Sequence, residues 1–201
     1  MSKTMRVRLI AITQPIIPEV LTQEQLIEYA GRTCTNTTDK TGSNTEHFIS
    51  KRVKQGHTSI LEHVSFTFEI IGISRACLAQ LTRHRIASFS VLSQRYVEQT
   101  SIMDFVTPET VFDGVEAKHL YDTVLHNSDY AYTQLIRLGM PKEDARMILP
   151  LATTTNLVMT MNLRSLQNFF NLRCNKSAQA EIRELAEMMK EIVMEYCPSA
   201  F

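Results

Sequence analysis

Residues 63–70 constrain the fold most strongly, and they read His-Val-Ser-Phe-Thr-Phe-Glu-Ile. Apolar side chains occupy every second position from Val64 to Ile70, and polar side chains occupy the positions between them. This period of two residues is typical of a β-strand that covers a core with one face. Because such a face needs a second layer packed against it, the pattern predicts a sheet covered by helices.

Segments on both sides of this strand complete the predicted architecture. Threonine and β-branched residues favour further strands over residues 5–13 and 151–161. Apolar residues at helical spacing predict helices over residues 22–32, 113–138, 162–174 and 177–196, with two more starting near Ser43 and Ser74. In the longest of them, Val124, Leu125 and Tyr132 are among the predicted core residues. We therefore expect a single α+β domain over residues 1–201, with helices packed on a mostly antiparallel sheet.

Local signals mark where several of these helices begin and end. Ser43 and Glu46 have the spacing of a capping box, in which the two side chains satisfy N–H groups of the first turn. Ser74 can cap the next helix, which would deliver Arg83 near its C-terminal end. Gly56 and Gly139 suit helix ends, because glycine adopts positive φ angles without steric cost.

The composition places the chain among globular proteins and argues against several classes. Hydrophobic residues make up 44% of the 201 residues, and 21 Lys and Arg balance 21 Asp and Glu. A net charge of zero argues against a general nucleic-acid or membrane-surface protein. No apolar run approaches the roughly 20 residues of a membrane span, and the first six residues lack the apolar core of a signal peptide. Four separated cysteines are expected to be reduced thiols in a cytoplasmic protein.

One basic segment, residues 80–96, contrasts with this neutral background. Its 17 residues contain three arginines, one histidine and three serines, and no acidic residue. Guanidinium groups offer forked donors that match phosphate oxygens, and serine hydroxyls with loop N–H groups can complete an anion site. The segment therefore predicts a phosphorylated ligand. The residue types alone leave a solvated basic turn as the alternative.

The order of residues in this segment resembles a known signature. Arg83-His84-Arg85 is followed after seven residues by Ser93, and then by Gln94-Arg95-Tyr96. This arrangement is similar to the signature of the flavin-dependent thymidylate synthases. Segments 56–68, 145–150 and 162–179 also resemble that family, so the resemblance covers most of residues 31–198.

The resemblance implies an FAD site. In the family the Arg-His-Arg residues line the flavin site, and the pyrophosphate of FAD needs cations or N–H groups. The flavin contacts carried over onto matching positions are His57, Ser59, Arg83, His84, Arg85, Ile86, Asn162, Arg164 and Asn168. For Asn162 and Asn168, a helix cap and a surface position are the structural alternatives.

The resemblance also implies a dUMP site in which Arg173 is the catalytic residue. The positive charge of Arg173 can stabilise negative charge that develops on the pyrimidine oxygen. Val91 replaces an acidic residue of some members, so a side-chain contact at this position is lost. Ser177 likewise stands where some members have histidine. The residues carried over as dUMP contacts are Gln80, Arg83, Val91, Ser93, Gln94, Arg95, Arg146 and Arg173.

The activity implied by this resemblance is the reductive methylation of dUMP to dTMP. In that reaction 5,10-methylenetetrahydrofolate donates the carbon, reduced FAD supplies the hydride, and NADPH regenerates reduced FAD. The signature contains no cysteine, so the resemblance implies a route without an enzyme nucleophile. It also implies a homotetramer whose active sites are shared between subunits.

Two other functional classes use the same residues differently. A nucleic-acid module could bind phosphates through residues 83–95, but zero net charge and the lack of interleaved aromatic residues argue against it. A metal-dependent hydrolase could use His57, His63 and His84, but their spacing matches no standard ligand pattern. We therefore expect no metal ion, no nucleic-acid partner and no membrane partner.

Overall fold

A computed structural model describes residues 5–97 and 105–201. The helices and strands are β1 (Arg6–Ile12), α1 (Gln23–Thr33), α2 (Thr45–Lys54), β2 (Ser65–Ser74), α3 (Arg75–Leu81), β3 (Ser88–Val91), α4 (Val115–Arg137), α5 (Lys142–Ala145), β4 (Thr154–Asn162), α6 (Leu163–Arg173) and α7 (Ala180–Tyr196). The four strands form an antiparallel sheet in the order β1-β2-β4-β3, and the helices together with this sheet confirm the predicted α+β class.

The described residues pack into two compact units. The first consists mainly of residues 70–83 and the described part of residues 90–157, and the second of residues 7–69, 84–89 and 158–201. Strands β2, β3 and β4 each contribute residues to both units. The expectation of one domain over residues 1–201 stays a prediction.

The second unit contains the strand that the alternating pattern predicted. Val64, Phe66 and Phe68 are fully buried, whereas Ser65 and Thr67 are half-buried. Strand β2 begins two residues later than predicted and continues to Ser74. The buried faces of α6 and α7 contribute to this core with Leu163, Leu166, Phe169, Phe170, Ile182, Leu185, Met189 and Val193.

The start of α2 differs from the prediction, because the proposed capping box does not form. Helix α2 begins at Thr45, and the Ser43 hydroxyl donates to a preceding backbone carbonyl instead of capping it. The carboxylate of Glu28, which belongs to α1, accepts hydrogen bonds from the Gly42 N–H at 2.9 Å and the Thr45 hydroxyl at 2.6 Å. A buried carboxylate from another helix therefore stabilises the turn where Ser43 and Glu46 were expected to act.

Glu28 is fully buried and is held by three residues besides its own helix backbone. Its Oε1 accepts a hydrogen bond from Arg32 Nε at 2.7 Å, and Oε2 accepts those from Gly42 and Thr45. Burial raises the pKa of Glu28, but the hydrogen bonds from Thr45, Gly42 and Arg32 outweigh it and lower the pKa below 4.5. Glu28 is therefore ionised at neutral pH and links α1 to the start of α2.

The first unit contains α3, α4 and α5. Ser74 caps α3 as predicted, because its hydroxyl accepts the Cys77 N–H at 3.0 Å. Along α4, Leu125 and Tyr132 are buried as predicted, but Val124 is half exposed and does not belong to the core. Strand β3 was not predicted, because its pairing depends on residues distant in sequence: the next residue, Leu92, donates its N–H to Asn156.

The remaining element predictions agree with the structure to within a few residues. Strands β1 and β4 and helices α1, α6 and α7 lie where the sequence patterns placed them. Gly56 and Gly139 adopt φ angles of +81° and +87°, as expected for residues that end helices. Within the described ranges, no helix combines the length and the apolar character that crossing a bilayer requires.

Candidate functional site

The second unit has a cleft of about 250 Å³ beside α6. Five of the nine predicted flavin residues line it, and Met161 and Ser165 are additions that the sequence analysis missed. The lining residues are His84, Arg85, Ile86, Met161, Arg164, Ser165 and Asn168. The structure thus brings together residues from the basic segment, the end of β4 and the first half of α6.

The start of α6 explains why its residues meet at the cleft. Asn162 caps the helix, because its Oδ1 accepts the Ser165 N–H at 2.8 Å. From that start, Arg164, Ser165 and Asn168 follow at the spacing that places helical side chains on one side. Asn162 therefore acts as a helix cap, which was its structural alternative, and its flavin contact stays a prediction.

The donor set of the cleft fits FAD. Arg85 and Arg164 supply two guanidinium groups, which suit a pyrophosphate, and Ile86 and Met161 supply apolar surface, which suits a planar ring. The volume of about 250 Å³ is below the roughly 300–1,000 Å³ of typical ligand pockets. One cleft of this size can enclose only part of a molecule as large as FAD.

His84 lies at this cleft and also contacts the predicted catalytic residue. The Nε–H of Arg173 donates a hydrogen bond to His84 Nε2 at 3.1 Å. The imidazole packs edge-on against the buried ring of Phe169, with 4.9 Å between the ring centroids.

His57 and Ser59 belong to the same unit but do not line the cleft, and both are exposed after the end of α2. Their flavin roles stay predictions.

In the first unit, residues 93–95 form a compact turn. The Ser93 hydroxyl accepts a hydrogen bond from the Arg95 backbone N–H at 3.2 Å, which stabilises the turn locally. Gln94 is only 7% exposed, and its buried Nε2 has no hydrogen-bond partner among the described residues. A buried amide donor of this kind suits a ligand oxygen.

Two of the predicted phosphate arginines meet at Glu143. Arg95 Nε lies 2.5 Å from a carboxylate oxygen of Glu143, and Arg146 Nε donates to the backbone carbonyl of the same residue at 3.1 Å. The structure therefore brings Arg95 and Arg146, two of the residues carried over as dUMP contacts, to one place, and their phosphate roles stay predictions. Of these two arginines, the Glu143 carboxylate pairs with Arg95 only, because Arg146 contacts the backbone carbonyl.

Arg75 is a third arginine of this group, and the sequence analysis missed it. Its Nη2 donates to the Leu92 carbonyl at 3.0 Å, next to Ser93 in sequence, and its Nε is buried without a partner among the described residues. Burial lowers the pKa of Arg75, and the positive charge of Arg146 lowers it further. Two guanidinium groups that repel each other are typical of a site that binds an anion.

One sequence signal could have identified Arg75. It is the first residue of α3, where the helix dipole disfavours a cation. A residue that conflicts with its local structure often has a functional reason.

The other predicted dUMP residues of this unit lie further along the chain: Gln80 is half-buried near the end of α3, Arg83 is exposed just after it, and Val91 ends β3.

The four cysteines differ in burial. Cys34 is exposed, Cys77 and Cys197 are buried, and all four thiols are free. Burial raises the pKa of Cys197 to about 12 and also raises that of Cys174.

No group of three or more His, Cys, Asp and Glu residues suited to a metal ion occurs in the described parts of the chain. The alternative of a metal hydrolase therefore lacks a ligand cluster there.

Comparison with known proteins addresses the family of this chain. Residues 16–199 match the family described as thymidylate synthase complementing protein. A flavin-dependent thymidylate synthase of Pyrococcus furiosus is 42% identical, over 86% of this chain and 72% of that protein. One from Geobacter sulfurreducens is 44% identical, over 79% of this chain and 69% of that protein. One from Halobacterium salinarum is 33% identical, over 98% of this chain and 94% of that protein.

The family match covers nearly the whole chain and includes both groups of candidate residues. The resemblance found in the signature around Arg83 and Ser93 therefore extends through α5 and α6. On these grounds the chain belongs to the flavin-dependent thymidylate synthase family.

Proposed function

We propose that this protein converts dUMP to dTMP in the cytoplasm, with FAD as its cofactor, 5,10-methylenetetrahydrofolate as the carbon donor and NADPH as the reductant. The observation that carries the proposal is the grouping of the candidate residues. One group lines a cationic cleft in the second unit, and the other concentrates Arg75, Arg95 and Arg146 in the first. Two anion-binding groups are what a reaction between two phosphorylated ligands requires.

The cleft residues would hold the flavin. Arg85 and Arg164 would bind the pyrophosphate, while Ile86 and Met161 would exclude water from an apolar part of the cofactor. When bound, reduced FAD supplies the hydride that completes the methyl group. The protein positions the flavin and supplies positive charge, and the Asn168 amide can fix the orientation of the flavin.

The arginine group of the first unit would hold the dUMP phosphate. Ion pairs between exposed side chains contribute only about 0–1 kcal/mol, so a phosphate can displace the Glu143 carboxylate from Arg95. A phosphate carries more charge and more acceptor oxygens than a carboxylate, and it could also accept from Arg75 and Gln94. Ser93 acts here as a phosphate ligand and not as a nucleophile.

Arg173 would act on the uracil ring. Uracil C5 is a weak nucleophile, and a guanidinium charge near the pyrimidine oxygen stabilises the electron-rich form that attacks the folate methylene. A cysteine that adds to the ring would need to be a thiolate, but a thiol with a pKa of about 12, as for Cys197, stays protonated at neutral pH. The proposed route uses no enzyme nucleophile.

We also propose a homotetramer with active sites shared between subunits. The cleft of about 250 Å³ is too small for FAD, dUMP and folate together. In addition, α4 exposes Leu120, Val124 and Tyr130, each more than half exposed, over a helix of 23 residues. Leu120 and Val124 are four residues apart on one side of α4, and adjoining exposed apolar side chains are typical of a surface that another subunit covers.

The decisive experiment is identification of the cofactor together with a product assay. Protein reconstituted with flavin should release FAD on heating, as identified by chromatography, and its flavin spectrum should bleach with NADPH. It should then form dTMP from dUMP and methylenetetrahydrofolate. Release of FMN alone, or no bound flavin, would refute the proposal. Salt-dependent DNA binding without flavin would favour the nucleic-acid module instead.

A further inference from the structure

His84 is held by two residues of the same helix. The Arg173 Nε–H donates to His84 Nε2 at 3.1 Å, and the buried ring of Phe169 packs edge-on against the imidazole. Phe169 and Arg173 are four residues apart on α6, so they project from the same side of the helix. The imidazole is thus held by a ring contact and by a hydrogen bond at one nitrogen.

The hydrogen bond specifies the protonation state of the imidazole. A guanidinium can only donate, so His84 Nε2 must carry a lone pair. An imidazolium has a proton on both nitrogens and could not accept this bond. The contact therefore requires neutral His84, with its proton on Nδ1.

The same bond restricts the orientation of the catalytic guanidinium. Arg173 ends α6, where its long side chain would otherwise sample many rotamers. Because the guanidinium is planar, directing Nε–H toward His84 also restricts where the four remaining N–H groups can point. Those groups are then available for the pyrimidine.

We propose that His84 is a positioning residue for Arg173: neutral His84 accepts the Nε–H and holds the guanidinium in the orientation that binds uracil. The proposal rests on the proposed function, because it assumes that Arg173 binds dUMP. It adds a second role to His84, which also lines the flavin cleft. One imidazole would thereby connect the flavin cleft with the residue that acts on the substrate.

Two substitutions separate this role from simple packing. His84→Gln keeps an acceptor near the position of Nε2, whereas His84→Phe keeps an aromatic ring against Phe169 but has no acceptor. Dissociation constants for dUMP and for FAD are measured separately, with dUMP titrated into protein saturated with FAD. His84→Phe should weaken dUMP binding about tenfold, the effect of losing a charge-assisted hydrogen bond, and His84→Gln should weaken it by less than about threefold.

A double-mutant cycle tests whether the effect passes through Arg173. In an Arg173→Ala background, His84→Phe should change dUMP affinity by less than about twofold, because the group that it positions is absent. The same factor in both backgrounds would overturn the proposal. Equal losses of dUMP affinity for His84→Gln and His84→Phe would overturn it as well.

A spectroscopic measurement keeps the proposal testable even if a His84 variant folds poorly. In protein with ¹⁵N-labelled histidine, the ring signals of His84 should report the Nδ1–H tautomer, and Arg173→Ala should shift the Nε2 signal. If Arg173→Ala leaves the chemical shift of His84 Nε2 unchanged, the contact is refuted. If instead the signal shifts but Arg173→Ala leaves dUMP affinity unchanged, the substrate role of Arg173 fails, and the positioning role fails with it.

Discussion

At the scale of single residues, Arg75 is the clearest case of a side chain whose local position conflicts with its surroundings. It occupies the first turn of α3, it is half-buried, and Arg146 repels it. Each of these conditions disfavours a guanidinium charge at this position. An anion bound by Arg75, Arg95 and Arg146 together would compensate all of them.

Arg75→Gln should therefore weaken dUMP binding while FAD binding changes little. Losing one charge-assisted contact to a phosphate corresponds to a loss of about tenfold to a hundredfold in affinity. Isothermal titration calorimetry of dUMP into FAD-loaded protein measures the dUMP affinity. The matched control is Arg137→Gln, which removes an exposed arginine from the last turn of α4. Comparable losses for the two variants would mean that the effect is general electrostatic attraction and not a contact.

At the scale of elements, the junction of α1 and α2 depends on one buried carboxylate. Glu28 accepts hydrogen bonds from Arg32, Gly42 and Thr45, so it joins two helices and the turn between them. The Arg32 guanidinium also lies over the Phe48 ring, 4.7 Å from its centroid, which adds a cation–π contact between the same two helices.

Glu28→Gln should lower the free energy of unfolding at neutral pH by about 3 kcal/mol, because it breaks a buried ion pair. The folded-state pKa of Glu28 lies below its ordinary value of 4.5, so its contribution is fully present above that value. The contribution is lost as the pH falls through the lower folded-state pKa. Chemical denaturation should therefore show that the free energies of unfolding of the wild type and the variant converge in acid.

The control for this prediction is Glu46→Gln, which removes the glutamate of the capping box predicted from the sequence. Glu46 is exposed and makes no side-chain cap in the structure, so the cost should stay within about 0.5 kcal/mol. If Glu46→Gln cost more than Glu28→Gln, the capping box would be the element that stabilises α2, and the assignment to Glu28 would be wrong.

At the scale of the whole molecule, the proposed assembly makes a prediction about mixed tetramers. Arg95→Ala and Arg173→Ala should each be inactive, because one lacks a phosphate ligand and the other the uracil ligand. If one subunit supplies the phosphate group and a neighbour supplies Arg173, exchange of subunits should restore activity. Random pairing at equal concentrations should leave about a quarter of the sites with both wild-type halves.

The matched control mixes Arg95→Ala with Arg146→Ala. Both arginines contact Glu143 within one chain, so no mixture of these variants can contain a site with both intact residues unless that group is itself shared. Mass spectrometry verifies the exchange in both mixtures. Complete exchange without recovered activity in the first mixture would mean that each site is built within one chain.

The sequence alone determined the features that depend on neighbouring residues. The alternation over residues 63–70 specified a half-buried strand, Ser74 specified the start of α3, and Gly56 and Gly139 specified helix ends. Each of these rests on a period or a spacing of a few residues, and so it can be predicted locally. The signature around Arg83 and Ser93 likewise identified the family, because its order is a local property.

Only the tertiary structure decided which distant residues meet. At the start of α2, where the capping box was predicted, the fully buried Glu28 carboxylate accepts from Gly42 and Thr45, which lie 14 and 17 residues away. Short β3 exists through its pairing with distant residues, and Arg75 joins Arg95 and Arg146 only once the first unit has folded. His84 meets Arg173 across 89 positions of sequence. Such contacts depend on burial and on the packing of whole elements, which no local pattern encodes.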